Sequence, residues 1–188
     1  LAALALSRAK PISEGETWLD VCAGPGGKAA LLAAEASMGH ATLVANELQP
    51  HRAKLVESAL RTVAPQIKVH VGDGVDFCHS KPDFFDRIML DAPCTGLGAL
   101  RRRPEARWRK SSNDVADLSK LQEQLIAAAF KSLKPGGVLA YVTCSPHQAE
   151  TNAIVDLAQK RLGADFELLD ATDVVKSISP QRSEERRV

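Results

Sequence analysis

The feature that most limits how this chain can fold is a regular alternation of short apolar runs with helix-forming segments. "TWLDVCAG" (17–24), "ATLVANEL" (41–48), "IKVHVGDG" (67–74), "FDRIMLDAP" (85–93), "VLAYVTCS" (138–145) and "FELLDAT" (166–172) read as strands. Helical segments fall between them: "GKAALLAAEAS" (27–37), "PHRAKLVESALRTV" (50–63), "SNDVADLSKLQEQLIAAAFKSLKPGG" (112–137) and "AETNAIVDLAQKRLG" (149–163). The second opens on a proline and shows an apolar stripe at Leu55, Ala59 and Val63. The third takes Asn113 or Asp114 as N-cap and Pro-Gly-Gly as its stop. The opening "LAALALSRAK" is apolar but lacks the basic start and cleavage pattern of a signal peptide, and reads as a helix packed on the domain. Strands alternating with helices imply an α/β fold with a mostly parallel, doubly wound sheet.

With 188 residues, 45% hydrophobic and 25% charged, the chain suits one soluble domain with a core of its own. Residues 1–178 are expected to form that domain, and "SPQRSEERRV" (179–188) a polar tail. Because it begins at leucine, the sequence reads as a piece of a longer protein. The net charge of +1 argues for no particular partner, so affinity for nucleic acid would need a local patch. No apolar stretch is long enough for a membrane, and no membrane partner is expected. Cys22, Cys78, Cys94 and Cys144 form no CxxC pair, and the five histidines show no metal spacing. No metal is therefore expected, and reduced thiols in the cytoplasm are the default.

In a doubly wound sheet, ligands sit beyond the carboxyl ends of the strands. The residues at those ends are Asp20 to Lys28, then Asn46 and Glu47, then Asp73, then Asp91, Pro93 and Cys94, and finally Cys144. "DVCAGPGGKAALL" is a strand, a glycine-rich turn and a helix, a shape that lets the backbone approach a ligand. It fails the Walker A pattern, because Ala29 follows Lys28 and Cys22 stands where the first glycine belongs. It also lacks the G-x-G-x-x-G spacing of dinucleotide sites. Glu47 can accept the hydroxyls of a ribose, and Asp73 an adenine amino group. Loop, Glu47 and Asp73 together describe a nucleoside cofactor that needs no pyrophosphate, which S-adenosylmethionine fits. A tight turn with two solvated acids is the plainer alternative. Cys144 ends an apolar run and precedes Ser145 and Pro146. Taken alone it is equally a packing residue, a metal ligand or a nucleophile. "LRRRPEARWRK" (100–110) is the strongest basic patch, with Trp108 inside it. It reads as a phosphate-holding surface with a stacking ring, or as a solvated charged loop.

The segments "DVCAGPGGK", "DAPCTGLGALRRRPEARWR" and "VTCSPHQAETN" together resemble the RNA (cytosine-5) methyltransferases of the Sun/Fmu type, the 16S rRNA m5C methyltransferase-like family. The resemblance covers nearly the whole chain, in order. It implies a Rossmann-like, S-adenosylmethionine-dependent methyltransferase fold, here with the family's last antiparallel strand missing. It places Cys22, Ala23, Gly24, Pro25, Gly26, Gly27 and Lys28 in the cofactor loop, Glu47 at the ribose, Asp73 at the adenine, and Asp91 as the acid that opens the DAPC motif, beside cofactor and base. It makes Cys144 the nucleophile and Cys94 the second cysteine. It implies an RNA substrate, a ribosomal RNA, with Arg101, Arg102, Arg103, Arg107 and Arg109 as phosphate contacts.

That chemistry needs two thiols and an acid. Cytosine C5 is a poor nucleophile toward a methyl group. A thiolate added at C6, here Cys144, makes an enamine whose C5 is nucleophilic. Asp91 would protonate or hydrogen-bond N3, a role that calls for a raised pKa. Cys94 would assist loss of the C5 proton and release of the enzyme. Lys28 would orient Asp91 or lower a thiol pKa, and His147 is a further candidate for activating Cys144. Three rival readings stand beside this one. A DNA cytosine-5 methyltransferase would use Cys94 as nucleophile and leave the TCSP cysteine unexplained. A catalytically silent RNA-binding or assembly module would leave the cysteine pair unexplained. A nicotinamide-dependent dehydrogenase lacks its glycine spacing.

Overall fold

The computed structural model describes residues 1–102, 104–109, 111–163 and 166–178, without the side chains of 106, 107, 109 and 112. Helix α1 (Ala2–Arg8) leads into strand β1 (Thr17–Asp20), then helix α2 (Gly27–Met38), strand β2 (Thr42–Glu47), helix α3 (Pro50–Leu60), strand β3 (Val69–Val71), helix α4 (Gly74–His79) and strand β4 (Phe85–Asp91). Two 3-10 turns, Leu97–Ala99 and Pro104–Arg109, carry the chain to helix α5 (Ser112–Ser132) and strand β5 (Leu133–Val142). Helices α6 (Asn152–Leu162) and α7 (Ala171–Ile178) follow.

Among the described residues the strands form one five-stranded sheet in the order β3-β2-β1-β4-β5, every pair parallel. The period of two along each strand sends successive side chains to opposite faces. Trp18 and Met89 join Leu32, Leu43, Val56 and Leu60 in the core under α2 and α3. Leu19, Ile88 and Leu90 join Phe77, Phe85, Leu125 and Ile154 in the core under α4, α5 and α6. Chain order reverses between β1 and β4, so the loops that follow these two strands open onto the crevice where such sheets bind ligands.

Helix α1 is held to the sheet by a buried charge. Arg87 of β4 is fully buried, with Nε 2.7 Å from Glu16 Oε2. Its Nη1 donates to the carbonyls of Leu6, Ser7 and Lys10, and its Nη2 to that of Pro11. Glu16 also accepts from Trp18 Nε1 at 2.7 Å and Ser13 N at 3.1 Å. Burial alone would raise the Glu16 carboxyl. The Arg87, Ser13 and Trp18 donors and the Arg87 charge outweigh it and hold the pKa at about 2.

Several boundaries differ from those the sequence suggests. The long helix stops at Ser132, and "LKPGG" belongs to β5 rather than ending the helix. Pairing slips between Phe85↔Leu133 and Arg87↔Val138, so the glycines fall in a local irregularity of the ladder. The N-cap is Ser111, not Asn113 or Asp114; Asp114 sits three residues on and closes a capping box with it. On α3 the buried face is Ala53, Val56 and Leu60, while Leu55 and Val63 of the expected stripe are exposed. The expected strand over 67–74 is reduced to Val69–Val71, and helix α4 begins at Gly74 with Asp73 as its N-cap. The expected sixth strand (166–172) is absent: 166–170 carry no regular structure and α7 begins at Ala171. The tail 179–188 lies outside the described residues.

Candidate active site

The glycine loop leaves β1 over the carboxyl end of the sheet. Gly24 must be glycine for space, because a Cβ there would run into the Glu47 carboxylate and lie 2.9 Å from Arg52 Nε. Gly26 must be glycine for conformation as well. Its φ is +110°, and a Cβ would lie 2.7 Å from Ala59 Cβ and 2.9 Å from Val56 Cα. Asn46 braces the loop from below: its Nδ2 donates to Val21 O at 2.9 Å and Gly72 O at 3.2 Å, joining the ends of β1, β2 and β3. Ala23 N donates to Asn46 O at 2.9 Å.

Of the two acids expected at a nucleoside, Glu47 is almost fully buried at the end of β2. It accepts from Gly24 N at 2.9 Å and Gln49 N at 3.0 Å, with Arg52 Nη1 3.6 Å away. Arg52 also donates to Gly24 O at 2.7 Å, so it clamps loop and acid together. Asp73 caps α4, its Oδ1 accepting from Val75 N and Asp76 N. It also lines a cleft of about 510 Å³ between α4 and α5.

Asp20, the last residue of β1, stands at the ligand edge as the sequence suggests, but no motif assigns it a role of its own. It is 1% exposed, and among the described residues neither carboxylate oxygen has a hydrogen-bond partner. Burial and then the Asp91 charge push its pKa up to about 7. Lys28 offsets this in part, as does the Cys22 backbone N–H, which faces the carboxylate without completing a hydrogen bond. A buried carboxylate beneath a glycine loop adds negative charge there, which favours a cationic ligand such as S-adenosylmethionine over an anionic one.

The opposite side of the crevice holds the Cys94 and Cys144 thiols. β5 lies beside β4, and the ladder ends at Asp91↔Val142 and the Ala92 N to Val142 O bond. Just past it, Cys94 Sγ and Cys144 Sγ stand 3.2 Å apart, both thiols free. Lys28 Nζ from the glycine loop reaches Asp91 Oδ2 at 2.7 Å, tying the two loops together across the point where chain order reverses. Of the two roles considered for Lys28, the contact is the one with Asp91. Burial first, then the Cys94 thiol and the Asp91 charge, push Cys144 up to about 11. The resting group is therefore a thiol. His147 Nδ1 accepts from Ala149 N at 3.2 Å.

Of the other two cysteines, Cys78 behaves as packing. Cys78 is buried in α4 and its pKa is pushed up to about 12 by burial and Asp73. Burial and the carboxylates around Cys22 raise its thiol further still. In the basic segment Arg101, Arg102 and Trp108 are exposed. Arg103 lies outside the described residues, as do the side chains of Arg107 and Arg109. No described helix is long and apolar enough to cross a membrane.

Comparison with known proteins agrees with this geometry. Residues 9–186 match the family model described as 16S rRNA methyltransferase RsmB/F. A protein of Mycobacterium tuberculosis H37Rv, named provisionally as a methyltransferase, is 50% identical over 162 residues, covering 86% of this chain and 34% of its own length. The ribosomal RNA small subunit methyltransferase B of Serratia proteamaculans is 39% identical over 140 residues, 73% of this chain and 32% of its own. The chain thus spans about a third of these relatives. The crystal structure of NSun6 from Pyrococcus horikoshii with SFG superposes with a TM-score of 0.69 at 26% identity, covering 86% of this chain and 41% of that one. S-adenosylmethionine is the cofactor of these enzymes. A match running from Ala9 through the glycine loop and both cysteine segments leaves one assignment: the chain belongs to the RsmB/F family of 16S rRNA methyltransferases.

Proposed function

We propose that this chain is the catalytic domain of an RNA (cytosine-5) methyltransferase acting on a ribosomal RNA through a covalent Cys144–C6 cytosine adduct. The observation that carries the reading is the pair of free thiols 3.2 Å apart beside the Lys28–Asp91 ion pair. A methyl transfer to an oxygen or nitrogen needs neither thiol, whereas transfer to C5 needs one to add and a second group to help undo the adduct.

S-adenosylmethionine, when bound, supplies the methyl group. Cys22 to Lys28 would cradle it, Glu47 would serve the ribose and Asp73 the adenine, and the charges of Asp20 and Asp91 would favour its cationic end. Attack joins Cys144 Sγ to C6 as the C5–C6 electron pair moves onto C5. The thiol proton leaves and N3 gains one, a net transfer for which Asp91 is the neighbouring carboxylate. Once C5 carries the methyl group, its proton departs and the C6–sulfur bond breaks, with Cys94 assisting. Arg101, Arg102, Arg103, Arg107 and Arg109 hold phosphates beside the base, and Trp108, 86% exposed, offers a face for stacking. Free thiols this close fit a reducing compartment, the cytoplasm.

The test is nucleoside analysis of RNA treated with the intact protein and S-adenosylmethionine. The reading expects 5-methylcytosine in ribosomal RNA and none in DNA of the same sequence. A methylated adenine or guanine, or methylation that survives Cys144→Ala, overturns it.

A further inference from the structure

The ladder between β4 and β5 ends before either cysteine, so something else must fix the distance between the two thiols. Cys94 and Cys144 sit in segments 50 residues apart in sequence, each past the end of its strand. The side chain that spans them is Glu150, in the short 3-10 turn Gln148–Glu150 that precedes α6. It is fully buried. Its Oε1 accepts from Thr95 N at 2.8 Å and from Gln122 Nε2 at 3.2 Å, and its Oε2 accepts from the Thr95 hydroxyl.

These contacts grip both cysteines from their neighbours. Gln122 Nε2 also donates to Pro93 O at 2.7 Å, so the residues on either side of Cys94 are held by one carboxylate–amide pair. The Thr95 hydroxyl lies 3.1 Å from that of Ser145, which follows Cys144. Gly98 N donates to Cys144 O at 2.9 Å, tying the same loop to Cys144 directly. Tyr141 OH completes the frame, donating to Glu150 O at 2.8 Å and standing 3.1 Å from Gln122 Oε1. Thr95, Gln122 and Ser145 are all buried. Among the described residues every partner of the Glu150 carboxylate is neutral. Burial raises this carboxyl, but the Ser145, Thr95 and Gln122 donors together outweigh it and hold it below its ordinary value. The group is an ionised acceptor at neutral pH, fixed in a buried and satisfied network.

We propose that Glu150 is the positioning residue of the catalytic pair, holding the Cys94 and Cys144 segments in the register that brings the two thiols together. The proposal rests on the reading of those thiols as attacker and releasing group, and it adds the part that sets their geometry. Glu150 touches neither sulfur. It acts through Thr95 and Ser145, one residue beyond each cysteine. A carboxylate suits the task because both oxygens accept, so the Thr95 N–H and hydroxyl are satisfied from one rigid group. An amide offers one acceptor and one donor group, so the Thr95 hydroxyl must change from donor to acceptor at residue 150 and turn its hydrogen toward Ser145.

The experiment uses the intact protein with Glu150→Gln, and Thr95→Val as a second variant that deletes the linking hydroxyl from the other side. Two readouts are taken on each. The first is kcat and KM for methyl transfer to RNA. Both variants should lose about 10- to 100-fold in kcat while KM for RNA and S-adenosylmethionine moves little, because the loss is of alignment rather than binding. The second is the rate at which an azo oxidant such as diamide joins Cys94 to Cys144, each thiol giving up a proton and an electron while the N=N bond is reduced to a hydrazine. Mapped by mass spectrometry, this cross-link should form readily in the unaltered protein and about tenfold more slowly in both variants. The double variant should be little worse than either single one, since both cut the same link. Unchanged cross-linking and kcat in a folded Glu150→Gln protein overturns the proposal. If that variant does not fold, the same result in Thr95→Val overturns it. If the unaltered protein makes no 5-methylcytosine, the functional reading fails, and the cross-linking rates still decide the role of Glu150.

Discussion

Among the described residues both oxygens of Asp20 are buried without a partner, and the consequence is a group that holds its proton. Its folded pKa of about 7 stands above the ordinary value of 3.8. A raised acid favours the protonated folded form, so its contribution to stability is present below the unfolded pKa and is lost as pH rises through about 7. A cationic ligand reverses that preference and expels the proton. Affinity for S-adenosylmethionine should therefore rise with pH up to about 7, by as much as about tenfold per unit, and level off above it. Titration calorimetry at several pH values, in buffers of different ionisation heat, should show proton release below that point. Asp20→Asn should flatten the dependence, and an unaltered pH profile in that variant would remove Asp20 from the cofactor site. The sequence places this acid at the ligand edge but assigns it no role, because "LDVC" looks like any strand end. Only the burial and missing partners of its carboxylate set it apart.

At the scale of elements, the strand–helix alternation was legible because the two periods differ, and β1, α2, β2 and β4 fall within a few residues of their expected places. The misses share a cause in tertiary packing. The "KPGG" run reads as a helix stop, yet pairing with β4 carries the strand through it. On α3 the apolar residues 55, 59 and 63 make a plausible stripe, but the sheet takes the face carrying Ala53, Val56 and Leu60. "FELLDAT" has strand composition, but no described strand takes it as a neighbour on the sheet. Packing of one element on another also makes a prediction. Arg87 joins β4 to α1 through a charge with no access to water, so Arg87→Ala strands Glu16 and should cost on the order of 3–5 kcal/mol in denaturant unfolding. The same pair sets an acid limit. The Glu16 pKa is depressed to about 2, so its contribution holds above its unfolded value of 4.5 and is lost as pH falls from there through about 2. A loss below about 0.5 kcal/mol in Arg87→Ala would show that α1 is held by its apolar contacts alone.

For the whole molecule, the sheet order places the glycine loop and both cysteine loops at one edge. That convergence was expected from the sequence because parallel strands all end on the same side. The bridge between the loops, across 63 residues from Lys28 to Asp91, is one of the two roles the sequence offered for Lys28. The basic segment after the second loop is where RNA should lie. Arg101→Ala with Arg102→Ala should lower the salt slope of binding to single-stranded RNA by roughly 0.7 per lost phosphate contact, and an unchanged slope would leave this segment a solvated surface. The central claim is that Cys144 attacks and Cys94 releases, and the most direct measurement of it is a denaturing gel of the intact protein incubated with S-adenosylmethionine and substrate RNA. Cys94→Ser should accumulate a covalent protein–RNA band, while Cys144→Ser should give neither that band nor methylated RNA, because a hydroxyl is far less nucleophilic than a thiolate. A band that accumulates in Cys144→Ser and is absent in Cys94→Ser would reverse the two roles, and methylation untouched by either substitution would contradict the account.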